Sequence, residues 1–198
     1  MMKIKRLIGG TLESNGYIVY DPNQRECYII DPGYNGERFV KEVEALDLKV
    51  KGILLTHHHY DHVGGVAKIK EATGCPVHLH RADTDIYKKE VDVMQEDGDV
   101  LTFGDEELVV MHTPGHTKGS VCYYSEKKKL AFTGDTIFNV DIGRTDLEDG
   151  SPEEMKATML NVINKWSNEI VIYPGHGDSC TMKYVRKHNQ EFIDAVNN

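Results

Sequence analysis

The chain has 198 residues, 39% hydrophobic and 28% charged, and a net charge of −9. That length accommodates one domain with its own buried core, and the acidic balance speaks against nucleic acid as a general partner. Residues 1–10 hold basic groups but no continuous apolar run, and no segment approaches the ~20 apolar residues of a membrane span; no secretory leader and no membrane partner are expected, and the expected location is cytoplasmic.

In chain order, residues 17–20 and 27–31 are short β-rich runs separated by a turn at Asp21-Pro22-Asn23. Asp31-Pro32-Gly33 stops the second run. Residues 37–46 place Phe39, Val40, Val43 and Leu46 at helical spacing. A buried-type strand follows at 52–55, a helix at 63–72, a strand at 77–80 and a weaker helix at 82–90. The middle is β-rich, at 100–103, 108–111, 121–124 and 130–133. The basic run Lys127-Lys128-Lys129 reads as a solvated hairpin turn. Ser151-Pro152-Glu153-Glu154 is a capping box with proline at the first helical position. The helix it opens carries Met155, Met159, Val162, Ile163 and Trp166 on one face. A strand at 170–173 and a final helix at 182–196 complete the pattern. Continuously apolar strands need cover on both faces, which a two-sheet sandwich flanked by helices provides. Composition does not choose it over a three-layer α/β fold.

Cys27, Cys75, Cys122 and Cys180 are scattered, with no Cys-x-x-Cys pair. Zinc-ribbon and redox motifs are therefore unsupported, and free, mostly buried thiols are expected. Cys180 lies near His176 in sequence.

The chemistry concentrates at His57, His59, Asp61 and His62, between the apolar strand end Ile53-Leu54-Leu55-Thr56 and the helix-leading Val63-Gly64-Gly65. Imidazoles and carboxylates suit zinc, iron or manganese. In an extended loop alternate side chains share a face, so His57 and His59 can grip one ion while His58 points away. Asp61 and His62, at the helix start, can address a second. Three more strand ends lead through a sharp turn to His116, Asp135 and His176. Ligand-type side chains on loops at one sheet edge make a shared pocket. His58, His78, His80, His112 and His188 read as structural or exposed, and Tyr60 as packing.

The pattern His-x-His-x-Asp-His at 57–62 with His116, Asp135 and His176 resembles the metallo-β-lactamase superfamily, from Ile-Asp-Pro-Gly at 30–33 to Tyr-Pro-Gly-His-Gly at 173–177. The resemblance implies an α/β fold, an αββα sandwich of two mixed sheets flanked by helices. It implies His57, His59 and His116 as ligands of one metal, Asp61, His62 and His176 as ligands of a second, and Asp135 bridging. The implied cofactors are two divalent ions, zinc first, with iron or manganese as alternatives. The Asp61-His62 pair is similar to the dinuclear hydrolase branches and departs from antibiotic-degrading β-lactamases, which have a different residue at the place of His62.

Thr-Pro-Gly-His-Thr-Lys-Gly-Ser at 113–120 and Ile-Gly-Arg-Thr-Asp at 142–146 are similar to the glyoxalase II (hydroxyacylglutathione hydrolase) group, which hydrolyses S-acylglutathione thioesters. On this resemblance residues 1–198 read as a single domain, without the C-terminal helical domain that completes the glutathione site in full-length members. Arg144 falls on a basic glutathione contact, whereas Asp146 and Asp178 stand where tyrosines are common. The implied substrate is a small-molecule thioester, S-lactoylglutathione or another acyl-thiol. Its carbonyl would be attacked by a metal-bridging hydroxide, with Asp61 and Asp135 as the catalytic carboxylates. Arg144 is the first candidate for substrate contact; Lys183 and Tyr184 are weaker ones. The same site would serve a lactone or ester. Gly-Arg-Thr-Asp at 143–146 also resembles persulfide dioxygenases, which hold a single iron, but Gly-His-Gly at 175–177 resembles the hydrolase ending. The sequence carries no signal of oligomeric state.

Overall fold

In the computed structural model, which describes residues 1–197, the strands form two mixed sheets of six strands each. The first contains β1 (Lys3–Gly9), β2 (Ser14–Asp21), β3 (Glu26–Ile30), β4 (Lys49–Leu54), β5 (Val77–His80) and β6 (Val93–Gln95) in that spatial order. Its first three strands are antiparallel, and β3 to β6 are parallel. The second contains β7 (Val100–Phe103), β8 (Glu106–His112), β9 (Val121–Ser125), β10 (Leu130–Gly134), β11 (Val171–Pro174) and β12 (Cys180–Thr181). Here only β10 and β11 run parallel.

The alternation of side chains along each strand sorts the core into layers. In β2, Tyr17 and Val19 join Leu54, Phe103, Val110, Tyr123 and Phe132 between the sheets. Ile18, between them, faces outward with Ile29 and Ile53 against Phe39 and Val43 of α1 (Gly36–Ala45), and against Val66 and Ile69 of α3 (Val66–Thr73). On the other side Cys122, Ala131 and Ile172 pack against Met155 and Met159 of α5 (Pro152–Asn161). Val185 of α6 (Met182–His188) and Phe192 of α7 (Gln190–Asn197) complete that layer. The layers are therefore helix, sheet, sheet, helix, the expected αββα sandwich. Truncating a fully buried residue such as Ile18 to alanine costs about 2–5 kcal/mol. Among the described residues no helix is long and apolar enough to cross a membrane.

Several elements differ from expectation. The edge strands β1, β6 and β12 were not anticipated: β1 buries only Leu7 and is otherwise partly exposed and basic, a composition that discourages edge-to-edge pairing. The helix expected at 63–72 begins earlier, as α2 (Tyr60–Val63), and breaks before α3. Gly64 and Gly65 stand at the break, where a Cβ on either would meet the carbonyl oxygen of Gly33 or Pro32 at 2.2 and 2.8 Å. The weak helix at 82–90 is a 3-10 turn at Arg81–Asp83 followed by the single turn α4 (Thr84–Tyr87). The final helix is interrupted at Asn189, whose Oδ1 accepts from Phe192 N while its Nδ2 donates to the carbonyls of Phe138 and Asp141. At the capping box Ser151 Oγ accepts from Glu154 N at 3.2 Å, but the Ser151 N–H donates to the Gly115 carbonyl and not to a glutamate. The basic turn is not simply solvated, since Lys128 pairs at 2.8 Å with Glu106, whose side chain is 3% exposed.

Candidate metal centre

Residues that follow parallel strands emerge at one edge of the sandwich. His57 to His62 follow β4, Asp135 follows β10 and His176 follows β11; His116 joins them from the loop between β8 and β9. Thr56, two residues past the β4 end, is fixed by Asp31, which accepts from its backbone N–H at 2.7 Å and its hydroxyl at 2.5 Å.

Four imidazoles are held through Nδ1. His57 donates to Thr56 Oγ1 at 2.9 Å, His62 to Asp31 at 3.1 Å, His116 to the Arg144 carbonyl at 2.8 Å and His176 to the Leu12 carbonyl at 3.0 Å. An outer acceptor on one nitrogen fixes the tautomer and aims the other, which is how ligand histidines are oriented. His59 lacks such an acceptor; its Nδ1 lies 3.0 Å from His116 Nε2.

The aimed atoms meet. His57, His59 and His116 form one group whose ligand atoms lie within 4.8 Å of one another, and Asp61, His62 and His176 form another. Asp135 lies between them. Its oxygens are 3.3 Å from His62 Nε2, 3.5 Å from His116 Nε2 and His176 Nε2, and 4.0 Å from His57 Nε2. Asp61 Oδ2 sits 3.3 Å from His62 Nε2 and 3.2 Å from His176 Nε2. Gly175 permits this convergence, since a Cβ there would lie 2.2 Å from Asp135 Oδ1.

The donor set fits metal ions. His57 Nε2, His62 Nε2 and Asp135 Oδ1 are buried and make no hydrogen bond, a costly arrangement unless something else satisfies them. Charge is divided across the site. Burial and the neighbouring histidines hold His57 well below the usual histidine range and His59 down to about 4. Burial also opposes charge on His62 and His176, but the carboxylates overcome it, raising His62 and lifting His176 to about 10. Asp61 and Asp135 are correspondingly held far below the carboxylate range, the histidine charges outweighing burial.

Residues that the sequence reading missed brace this arrangement. Ser14 donates to Asp61 Oδ2 at 2.9 Å. Asn15 Nδ2 and Tyr17 OH donate to the Pro174 carbonyl, holding the approach to His176. Asp83 is fully buried. It accepts from His58 N and Nδ1, Thr117 Oγ1 and Gly119 N, joining the His57–His59 loop to the His116 loop. The polar pair Ser14-Asn15 opening an apolar strand is a signal in the sequence; nothing local marks Asp83.

Of the other expectations, Arg144 touches the centre through its backbone, but its guanidinium is exposed and bound to both oxygens of Asp146 at 2.7 and 2.8 Å. Lys183 and Tyr184 are not brought to the centre. The N–H groups of Met182 and Lys183 donate to Ile170 and Asn168, just ahead of β11 and away from His176. Tyr184 stacks on His188 at 4.1 Å. Tyr60, expected to pack, is 68% exposed. His58 also falls in a group with His59 and Asp149, although its Nδ1 donates to Asp83. His80 and His112 stack on each other at 4.1 Å. Burial pushes the Cys180 thiol up to about 11, so little of it is thiolate at neutral pH.

Residues 9–176 match the sequence pattern described as the metallo-beta-lactamase superfamily. The chain belongs to this superfamily. Among solved metallo-beta-lactamase folds, the BLEG-1 B3 metallo-beta-lactamase is 31% identical, with a TM-score of 0.88 over 94% of this chain and 98% of that one. TTHA1623, in a di-iron-bound form, is 31% identical with a TM-score of 0.84 over 93% and 98%. The hydroxyacylglutathione hydrolase GloC of Haemophilus influenzae is 29% identical, covering 95% of this chain and 97% of its own. Fold, family and the two side-chain groups together support a metal-dependent hydrolase.

Proposed function

We propose that the protein is a dinuclear hydrolase of thioesters, of S-lactoylglutathione or another acyl-thiol. One observation carries the dinuclear reading: a single carboxylate, Asp135, stands against His57 and His116 of one group and His62 and His176 of the other. The similarity to a hydroxyacylglutathione hydrolase supports thioesters as the substrate class. In this reading His57, His59 and His116 hold one ion, Asp61, His62 and His176 the other, and Asp135 is shared.

Two divalent ions, zinc or alternatively iron or manganese, would supply an acidified water and an electrophile for the carbonyl oxygen. The chain's part is positional. Asp31, Thr56 and the Arg144 and Leu12 carbonyls fix the imidazoles before any ligand arrives, so little reorganisation remains. Ser14 donates to Asp61 Oδ2 and so helps fix the carboxylate that faces His62 and His176. A thiolate departs without prior protonation, so no general acid is required of the chain, and lactones or esters fit the same arrangement.

The test is S-lactoylglutathione hydrolysis beside oxygen uptake with glutathione persulfide, on protein of measured metal content. Thioester hydrolysis supports the proposal. Oxygen uptake with a single iron would overturn it and leave His176 a non-ligand.

A further inference from the structure

Which acyl-thiol the centre takes can be narrowed from its surroundings; this step rests on the thioesterase reading. Four apolar side chains lie on the segments that carry or touch the candidate ligands. The carbonyl of Leu12, a residue 47% exposed in the β1–β2 hairpin, accepts from His176. The Phe138 ring lies 6.2 Å from the His176 ring. Val140, 49% exposed, follows on the same loop, and Tyr60, 68% exposed, stands between His59 and Asp61. Single exposed apolar residues are ordinary; these four lie on segments that hold or adjoin His59, Asp61, Asp135 and His176.

The charges nearby cancel. Arg144 is forked onto Asp146, and Arg6 binds Asp178 at 3.2 Å. Both pairs are exposed and individually weak. A substrate anion must still displace a carboxylate tethered two residues from Arg144, at high effective concentration. The adjoining cleft, about 600 Å³, is lined by Lys156 and Arg144 but also by Asp141, Glu191 and Asp194. The chain's charge of −9 adds long-range repulsion of anions.

We propose that the centre selects uncharged thioesters with an apolar acyl chain over anionic ones such as S-lactoylglutathione, and that Asp146 sets this preference by neutralising Arg144. The metal-loaded protein should hydrolyse S-hexanoyl-N-acetylcysteamine with a kcat/KM about tenfold above both its S-acetyl analogue and S-lactoylglutathione. Asp146→Asn should raise kcat/KM for S-lactoylglutathione by about fivefold relative to the hexanoyl substrate. Val140→Ser combined with Tyr60→Ser should bring the hexanoyl-to-acetyl ratio close to one with metal content unchanged. A wild-type preference for S-lactoylglutathione, or a ratio that Asp146→Asn does not move, overturns the proposal. Should thioesters resist while aryl esters are cleaved, the thioesterase reading alone fails. The selectivity is then read from p-nitrophenyl hexanoate against the anionic p-nitrophenyl hemisuccinate, and preference for the anion overturns it.

Discussion

At the metal centre His57, His62 and Asp135 end in buried atoms without a hydrogen-bond partner, while at the mouth Arg144, Tyr60 and Leu12 stand largely in solvent. The contrast is between buried groups aimed by fixed partners and exposed groups held by their own loop at most. Each of four centre imidazoles is tied through Nδ1 to a hydroxyl, a carboxylate or a carbonyl. Arg144, by comparison, is tied only to a neighbour on its own loop. Substitutions at the centre should therefore abolish function, and those at the mouth should redirect it.

The largest effect is expected at the shared carboxylate. Asp135→Ala should lower kcat/KM by about a thousandfold or more and reduce bound metal; His59→Ala should do the same for the first group. Metal analysis and single-substrate kinetics check both, and wild-type turnover in either variant would remove the contrast.

Unpaired ring nitrogens alone do not make a ligand, and His78 shows why. Both of its nitrogens are buried without a partner, but in β5 it faces the Tyr28 ring and sits against Gly52, with no second ligand-type residue grouped with it among the described residues. Burial, opposed only by Asp92, pushes it down to about 4. The unfolded chain takes up a proton near pH ~6.5, where the folded chain does not. Stability is therefore lost as pH falls from about 6.5 towards 4, by about 3 kcal/mol in total. Denaturant unfolding of metal-free wild type and His78→Leu at pH 7 and pH 4 checks this; equal losses in the two proteins would contradict it.

Smaller effects probe the bracing. Asp83→Asn leaves one of four donors facing an amide N–H group, which should cost about 1–3 kcal/mol of stability and, in addition, lower metal affinity or activity by about 10- to 100-fold. A matching loss of stability without a metal effect would make Asp83 merely structural. Ser151→Ala, which removes the α5 cap beside the Gly115 turn, should cost only about 1 kcal/mol of stability and leave metal content intact, measured by thermal unfolding.

The centre was legible in the sequence because ligand chemistry repeats in one local grammar, an apolar strand followed by a turn and then His or Asp. That grammar placed His57, His59, Asp61, His62, His116, Asp135 and His176 together, and the structure brings their atoms within reach of one another. The bracing was not legible because it is long-range: Ser14 reaches Asp61 across 47 positions and Thr117 reaches Asp83 across 34. Lys183 and Tyr184 misled through proximity in sequence to His176. The chain turns back antiparallel at β12 and carries α6 to the far end of β11. The helix break at Asn189 carries neither glycine nor proline; its cause is a side chain bonded to the loop after Asp135.

The most direct test is the number of metal ions per active chain, measured by elemental analysis on protein whose thioester turnover is recorded in the same preparation. Two ions per chain with turnover, both lost in Asp135→Ala, is the expected result. Full turnover with one ion, or a single iron with oxygen uptake in place of hydrolysis, would contradict the account.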